Sequence, residues 1–197
     1  MRNLNVKTVI AALLAALAAI TTPALAADHY LLDPNHTTVM FSVNHMGFSK
    51  VYGRFDKVEG AFTLDQAAPE KSSVVVTIDA ASIDTNQAKR DDHLRSKDFF
   101  EAAAFPQLIF KSTSVKKTGE KTATMTGDLT LHGVTKPVSL SVTLTGAGPH
   151  PVDQTKTIAG FSARGTLKRS DFGMTYGVPV VGDEIELIIE TESIRQL

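Results

Sequence analysis

Cysteine is absent from the 197-residue chain. No disulfide can staple the fold, so burial and the backbone hydrogen-bond network must hold it together alone. Thiolate nucleophiles and thiolate metal ligands are excluded at the same stroke. An excess of charge of one sign is also lacking. The 20 Lys and Arg against 21 Asp and Glu leave a net charge of −1, which is no electrostatic footprint for nucleic acid or an anionic membrane. No Gly-x-Ser-x-Gly elbow offers an activated serine. No His-x-x-x-His or His-x-His pair offers zinc-ligand spacing, and no metal site is expected. Low-complexity tracts and Pro-rich linkers are missing, which argues against a modular chain. Past residue 20, Thr, Ser, Gly or a charge interrupts every apolar segment within a few residues, so no stable membrane insertion is expected.

The one long apolar run lies at the start. Arg2 and Lys7 precede an unbroken stretch from Val9 to Ile20, and Ala24-Leu25-Ala26 supplies a small-x-small cleavage pattern. Residues 1–26 read as a secretory signal peptide cut after Ala26, which implies export to the periplasm. No cysteine follows the run, so a lipid anchor on an N-terminal Cys is excluded. Residues 27–197, roughly 170 of them, suit one domain with a substantial core.

From residue 36 onward the dominant signal is period-two alternation of β-branched and aromatic residues. In HTTVMFSVNH, Val39, Phe41, Val43 and His45 share one face. Val74, Val76 and Ile78 form another such row, as do Met125, Leu129 and Leu131, then Val138, Leu140, Val142 and Leu144. Phe161 and Ala163, and finally Ile185, Leu187 and Ile189, complete the set. Between Val51 and Leu64 the phase slips, since Phe55 is odd while Val58, Phe62 and Leu64 are even. A bulge or bend near Asp56-Lys57, or at Gly60, would reconcile the two halves of a long strand. About eight strands with short connections predict an all-β, eight-stranded antiparallel barrel with a filled or ligand-holding interior.

Residues 86–104 break the pattern with Gln, Ala, Lys, Arg, Asp and Leu, predicting a short helical insertion that Pro106 ends. Phe99, Phe100 and Phe105 would tie it to the apolar interior. Asp92, His93 and Arg95 lie within it. As a surface set they have ordinary helix chemistry, with Asp91 and Arg95, or Asp92 and Ser96, spaced to pair. As a functional set they would meet a ligand head or control entry, and a catalytic reading has no partner nucleophile. His36 and His45 bracket one strand on opposite faces, and each reads either as a head-group hydrogen bond or as a satisfied imidazole. In KRSDFGM, residues 168–174, Asp171 could accept backbone donors while Phe172 plugs a barrel end. Alternatively Arg169 could present its fork of donors to an anionic head.

Four segments together resemble one family. They are YLLDPNHTTVMFSVNHMGFSKVYGRF near the mature N-terminus, DDHLRSKDFFEAAAFPQLIFKST, GDLTLHGVTKPVSL, and RSDFGM at 169–174. In this order, across nearly the whole chain, they are similar to the YceI family of exported, lipocalin-like proteins that bind polyisoprenoid or other long-chain lipids. Thr37 stands where that family often has Ser, a swap that keeps the hydroxyl. The resemblance implies a barrel whose interior holds an isoprenoid tail, polyprenyl or quinone-like, with the head near the mouth. Phe41, Val43, Phe55, Phe62, Met125, Leu129 and Phe161 are the candidate tail contacts. His36, His45, Asp92, His93, Arg95 and Arg169 are the candidate head or mouth contacts. Gly53, Gly60, Gly127 and Gly165 could leave room for a tail. No catalytic residue and no cofactor beyond the lipid ligand is expected, and a homodimer is left open. The competing readings are an enzyme acting on an isoprenoid or amide-like apolar substrate, and a stress-response partner protein with a packed barrel.

Overall fold

A computed structural model describes residues 27–196, and the signal-peptide assignment of residues 1–26 lies outside them. The alternating segments become ten strands among the described residues: β1 (Asp28–His45), β2 (Ser49–Phe55), β3 (Val58–Leu64), β4 (Ser73–Asp79), β5 (Ile83–Asp84), β6 (Gln107–Lys117), β7 (Thr122–Leu131), β8 (Val134–Pro149), β9 (Thr157–Lys168) and β10 (Val181–Arg195). All pairings are antiparallel, and the order β10-β9-β8-β7-β6-β4-β3-β1 closes on itself because β1 also pairs with β10. The result is the expected eight-walled barrel. β2 continues the wall of β3, and the two-residue β5 is an addition to the edge of β2.

The phase slip is an interruption of the strand at Asp56-Lys57, between β2 and β3, rather than an event at Gly60. β2 pairs with the second half of β1, from Val39↔Phe55 to His45↔Ser49, and β3 pairs with its first four residues, from Asp28↔Leu64 to Leu31↔Ala61. β1 holds a second irregularity that alternation alone does not show. Between Leu32↔Ser193 and Thr37↔Thr191 it places four residues where β10 places one. The extra residues, Asp33 to His36, bulge outward around an Asp33 carboxylate that accepts the Asn35 N–H at 2.9 Å and the His36 ring at 2.8 Å. The bulge resets the phase so that Tyr30 and Leu32 face inward below it, and Val39, Phe41 and Val43 above it.

The helical insertion is α1 (Ala88–Arg95) followed by turns through Ala104. Gln87 caps its start by accepting the Arg90 N–H. Phe100 packs edge-on to Phe55, 5.6 Å between centroids. Phe105 does not reach the interior: it lies over His132 at 4.9 Å, against the β7–β8 turn. The core has two parts. The larger runs along the barrel through Val39, Phe55, Ile78, Leu129, Leu140 and Phe172. The smaller, Tyr30, Phe62 and Ala159, lies toward the end away from α1, where Tyr30 stacks on Phe62 at 4.9 Å and Phe62 meets Phe161 edge-on at 5.4 Å.

The glycines do not make room for a tail, contrary to expectation. Phe41 covers Gly53, Phe110 covers Gly127, and Leu140 covers Gly165 closely enough that a Cβ would collide with each. At Gly60 a Cβ would meet Leu32 and the Val75 carbonyl oxygen, each at 2.7 Å. Each glycine lets a neighbour's large side chain lie flat on the wall, so the open space lies beyond those side chains.

Candidate functional site

Inward side chains of every long strand line one continuous cavity of about 660 Å³. Along β7 the lining runs from Ala123 to Leu131, and along β8 from Val138 to Leu144. At about 3.4 Å per residue and a barrel tilt near 40°, that is roughly 20 Å of apolar channel. The volume falls within the roughly 300–1,000 Å³ of small-molecule sites. All seven residues picked as tail contacts, Phe41, Val43, Phe55, Phe62, Met125, Leu129 and Phe161, face this space. Alternation found them because a barrel interior collects every inward row.

The two ends differ. Away from α1 the cavity reaches a polar rim of Gln66, Ser72, Lys117, Glu120, Lys121 and Thr122 on the β3–β4 and β6–β7 connections. At the α1 end an aromatic stopper closes it. His93, Phe99 and Tyr176 contact one another edge-on at 5.1, 5.2 and 5.4 Å, and the Arg169 guanidinium stands 5.8 Å from the Phe99 centroid. All four line the cavity.

The structure separates the six polar candidates. His45 faces the cavity at the end of β1, and neither of its ring nitrogens is hydrogen-bonded to another group among the described residues. His93 lines the cavity too, with Nε2 3.0 Å from Asp98. His36 sits outside, on the β1 bulge. There Asp33 raises its pKa above the ordinary imidazole value by hydrogen bond and charge, and Asp33 is lowered in return. Asp92 and Arg95 are outside the lining. Arg95 bonds the Ala81 and Ile83 carbonyl oxygens at 2.8 and 2.9 Å and pairs with Asp92 at 3.0 Å, pinning α1 to the barrel edge. The Asp91–Arg95 pair suggested by helical spacing is not made.

Arg169 touches the cavity but is already spent. Only 4% exposed, it donates to four backbone carbonyl oxygens: Gly182 at 2.9 Å, Met174 at 2.9 Å, Tyr176 at 2.8 Å and Val181 at 3.0 Å. Burial lowers its pKa and Asp183 opposes that shift. Burial likewise pushes the Asp183 carboxyl up, but the Ser170 N–H, the Ser170 hydroxyl and the Arg169 charge outweigh it and hold the pKa below the usual value. Asp183, rather than the exposed Asp171, is the acceptor that organises this turn.

Two polar residues, Thr85 and Arg90, carried no signal in the sequence, and a third, Asp91, read there only as a surface partner of Arg95. Asp91 is buried and its Oδ1 accepts both the N–H and the hydroxyl of Thr85, at 2.9 and 2.5 Å. Arg90 donates to the Thr85 hydroxyl and carbonyl oxygens, each at 2.7 Å. Thr85 and Arg90 both line the α1 end of the cavity. Within a polar helix, nothing marked Asp91 rather than Asp92 as the inward carboxylate. Among the described residues no cluster of three or more His, Asp or Glu side chains has the geometry to hold a metal ion.

Comparison with known proteins fits this geometry. Residues 30–193 match the model of the YceI-like domain. A UPF0312 protein of Ectopseudomonas mendocina is 45% identical over 192 residues, covering 96% of this chain and 99% of that protein. The Campylobacter jejuni YCEI protein superposes with a TM-score of 0.71 at 33% identity, covering 78% of this chain and 90% of that one. A polyisoprenoid binding domain from Saccharophagus degradans, implicated in plant cell wall breakdown, shares the fold at a TM-score of 0.64 and 14% identity, over 86% of this chain and 99% of that one. With almost the entire described barrel matched, this chain belongs to the YceI-like domain family.

Proposed function

We propose that this protein is a periplasmic carrier that takes up a long-chain isoprenoid-type molecule, polyprenyl or quinone-like, and shields it from water inside the barrel. The observation that carries the reading is the apolar channel itself, continuous from the Phe62–Phe161 end to the aromatic stopper. A channel of this length suits a flexible hydrocarbon better than a compact polar metabolite. Each buried CH2 contributes about 0.8 kcal/mol, so ten would supply roughly 8 kcal/mol before ordering costs. The similarly folded Saccharophagus degradans domain, described as polyisoprenoid-binding, supports the same ligand class. His45, Arg90 and His93 supply hydrogen-bonding groups for a polar head at the α1 end. Arg169 is left out of that set because its donors are consumed by the backbone. Hydrophobic burial of the tail drives uptake and the polar groups orient the head, with no covalent step.

Delipidated, refolded protein mixed with polyprenyl or quinone-type lipids should show one-to-one adducts by native mass spectrometry. Absence of uptake across both classes would remove the reading.

A further inference from the structure

Every large exposed apolar side chain of two neighbouring loops stands at the stoppered end of the barrel. The β1–β2 turn carries Met46, 52% exposed, and Phe48, 92% exposed, and the 175–180 loop carries Tyr176 at 53% and Val180 at 57%. The Met46 N–H bonds the Val180 carbonyl oxygen at 3.0 Å, so the two tips form one projection. Residues 46–49 and 172–182 contain no charged side chain. Hydrocarbon or headgroup could therefore receive both tips without desolvating an ion. The opposite end has Lys117, Glu120 and Lys121 on its rim, and Asp153 and Lys156 on the β8–β9 loop. Its loops offer no comparable pair of uncharged tips, whereas the exposed charges of the α1 end, Lys89, Asp92 and Lys97 among them, lie on and just after the helix and not on the two tips.

The turn also runs against local preference. Met46 and Gly47 both have left-handed backbone, φ 57° and 76°, at the centre of a turn closed by the Phe48 N–H to the His45 carbonyl oxygen, within the three-residue connection between β1 and β2. Asn-Gly is the pair such a turn favours. Methionine there accepts a conformational cost and adds an apolar side chain at the tip.

We infer that the α1 end of the barrel docks on a lipid bilayer surface through Met46, Phe48, Tyr176 and Val180, and that cargo passes between membrane and cavity there. Tyr176 makes the connection, since it belongs both to the exposed tips and to the stopper over the cavity. The four side chains offer on the order of 500 Å² if a fully exposed aromatic contributes 150–250 Å². That falls short of the about 800 Å² per partner that a stable protein interface buries. Phe and Tyr on protruding tips suit the boundary between headgroups and acyl chains. The inference rests on the lipid reading of the cavity.

The test compares the parent with a triple variant, Met46→Asn, Phe48→Ser and Val180→Thr, and with Val152→Ser at the other end, where Val152 is 89% exposed. All chains keep the same N-terminus, so whatever that segment contributes is common to them. Flotation with phosphatidylcholine vesicles reads docking, and transfer of a pyrene-labelled isoprenoid alcohol between vesicles reads exchange. The parent and Val152→Ser should float, with transfer rates that rise in proportion to acceptor-vesicle concentration. The triple variant should lose about tenfold in both at an unchanged melting temperature. Equal behaviour of parent and triple variant overturns the inference, as does an equal loss in Val152→Ser. Self-association driven by the tips without vesicle binding also overturns it, by assigning the surface to a second copy. Loading from detergent micelles separates the two ideas. Its failure sinks the cargo reading, while flotation of the unloaded protein still decides docking.

Discussion

Arg169 shows how a residue's chemistry and its employment can part. Its type and its place in RSDFGM suit an anionic head, yet its guanidinium closes the 169–182 segment by bonding four carbonyl oxygens. Replacement by Met should therefore cost about 3 kcal/mol or more, because several buried acceptors lose their donors together. Lys should rescue little, since one ammonium cannot span the fork. Urea unfolding of Arg169→Met and Arg169→Lys reads this directly. A head-binding role would instead weaken lipid uptake with little change in the unfolding midpoint. Residue identity is legible in a sequence; whether donors remain free is not, because it depends on how the chain as far as Gly182 folds back to bring its carbonyls to the guanidinium.

At the scale of the element, α1 is a polar helix with little apolar surface to bury. What holds it are three anchors: Asp91 to the N–H and hydroxyl of Thr85, Arg90 to the hydroxyl and carbonyl oxygens of the same residue, and Arg95 to the carbonyl oxygens of Ala81 and Ile83. Asp91→Ala strands a buried N–H and should cost about 2 kcal/mol. Hydrogen exchange should report it as faster opening of residues 80–106, with the amides of β7 to β9 unchanged. Global loss of protection would mean that the insertion and the barrel unfold as one unit. The existence of the helix was readable from the break in alternation, and the slip at Asp56-Lys57 from the parity of Phe55 and Val58. The bulge at Asp33 to His36 was not, because Asp-Pro-Asn-His has no apolar phase to follow. The reading of the glycines as free space failed because their neighbours' side chains, the rings of Phe41 and Phe110 and the side chains of Leu32 and Leu140, lie across the sheet, a relation set by strand register.

For the whole molecule the decisive quantity is space inside a closed sheet. Val142 lines the cavity opposite Ala123, toward the end away from α1, and a larger side chain there has room to project into it. Val142→Phe should change stability by less than about 1.5 kcal/mol, since it fills space rather than displacing packed neighbours. It should shorten the tail that fits, so the variant retains short isoprenoids and loses the longest ones in native mass spectrometry. Unchanged uptake of every length would mean that the tail does not occupy the channel. A packed barrel would instead suffer overpacking, with a clear fall in melting temperature.

The sequence by itself determined which rows of side chains face inward, that they belong to an antiparallel sheet long enough to close, and that the stretch from Val51 to Leu64 is interrupted. Each of these follows from the two-residue period of a strand, a local property of the chain. Only the tertiary structure decided that the interior stays open along its length and that Arg169 is consumed while His45 is not. It also decided that the inward carboxylate of the helix is Asp91, and that Tyr176 joins the stopper to the exposed tips. Those facts depend on how far apart the closed walls stand and which distant carbonyls meet a side chain, and no spacing along one strand records either.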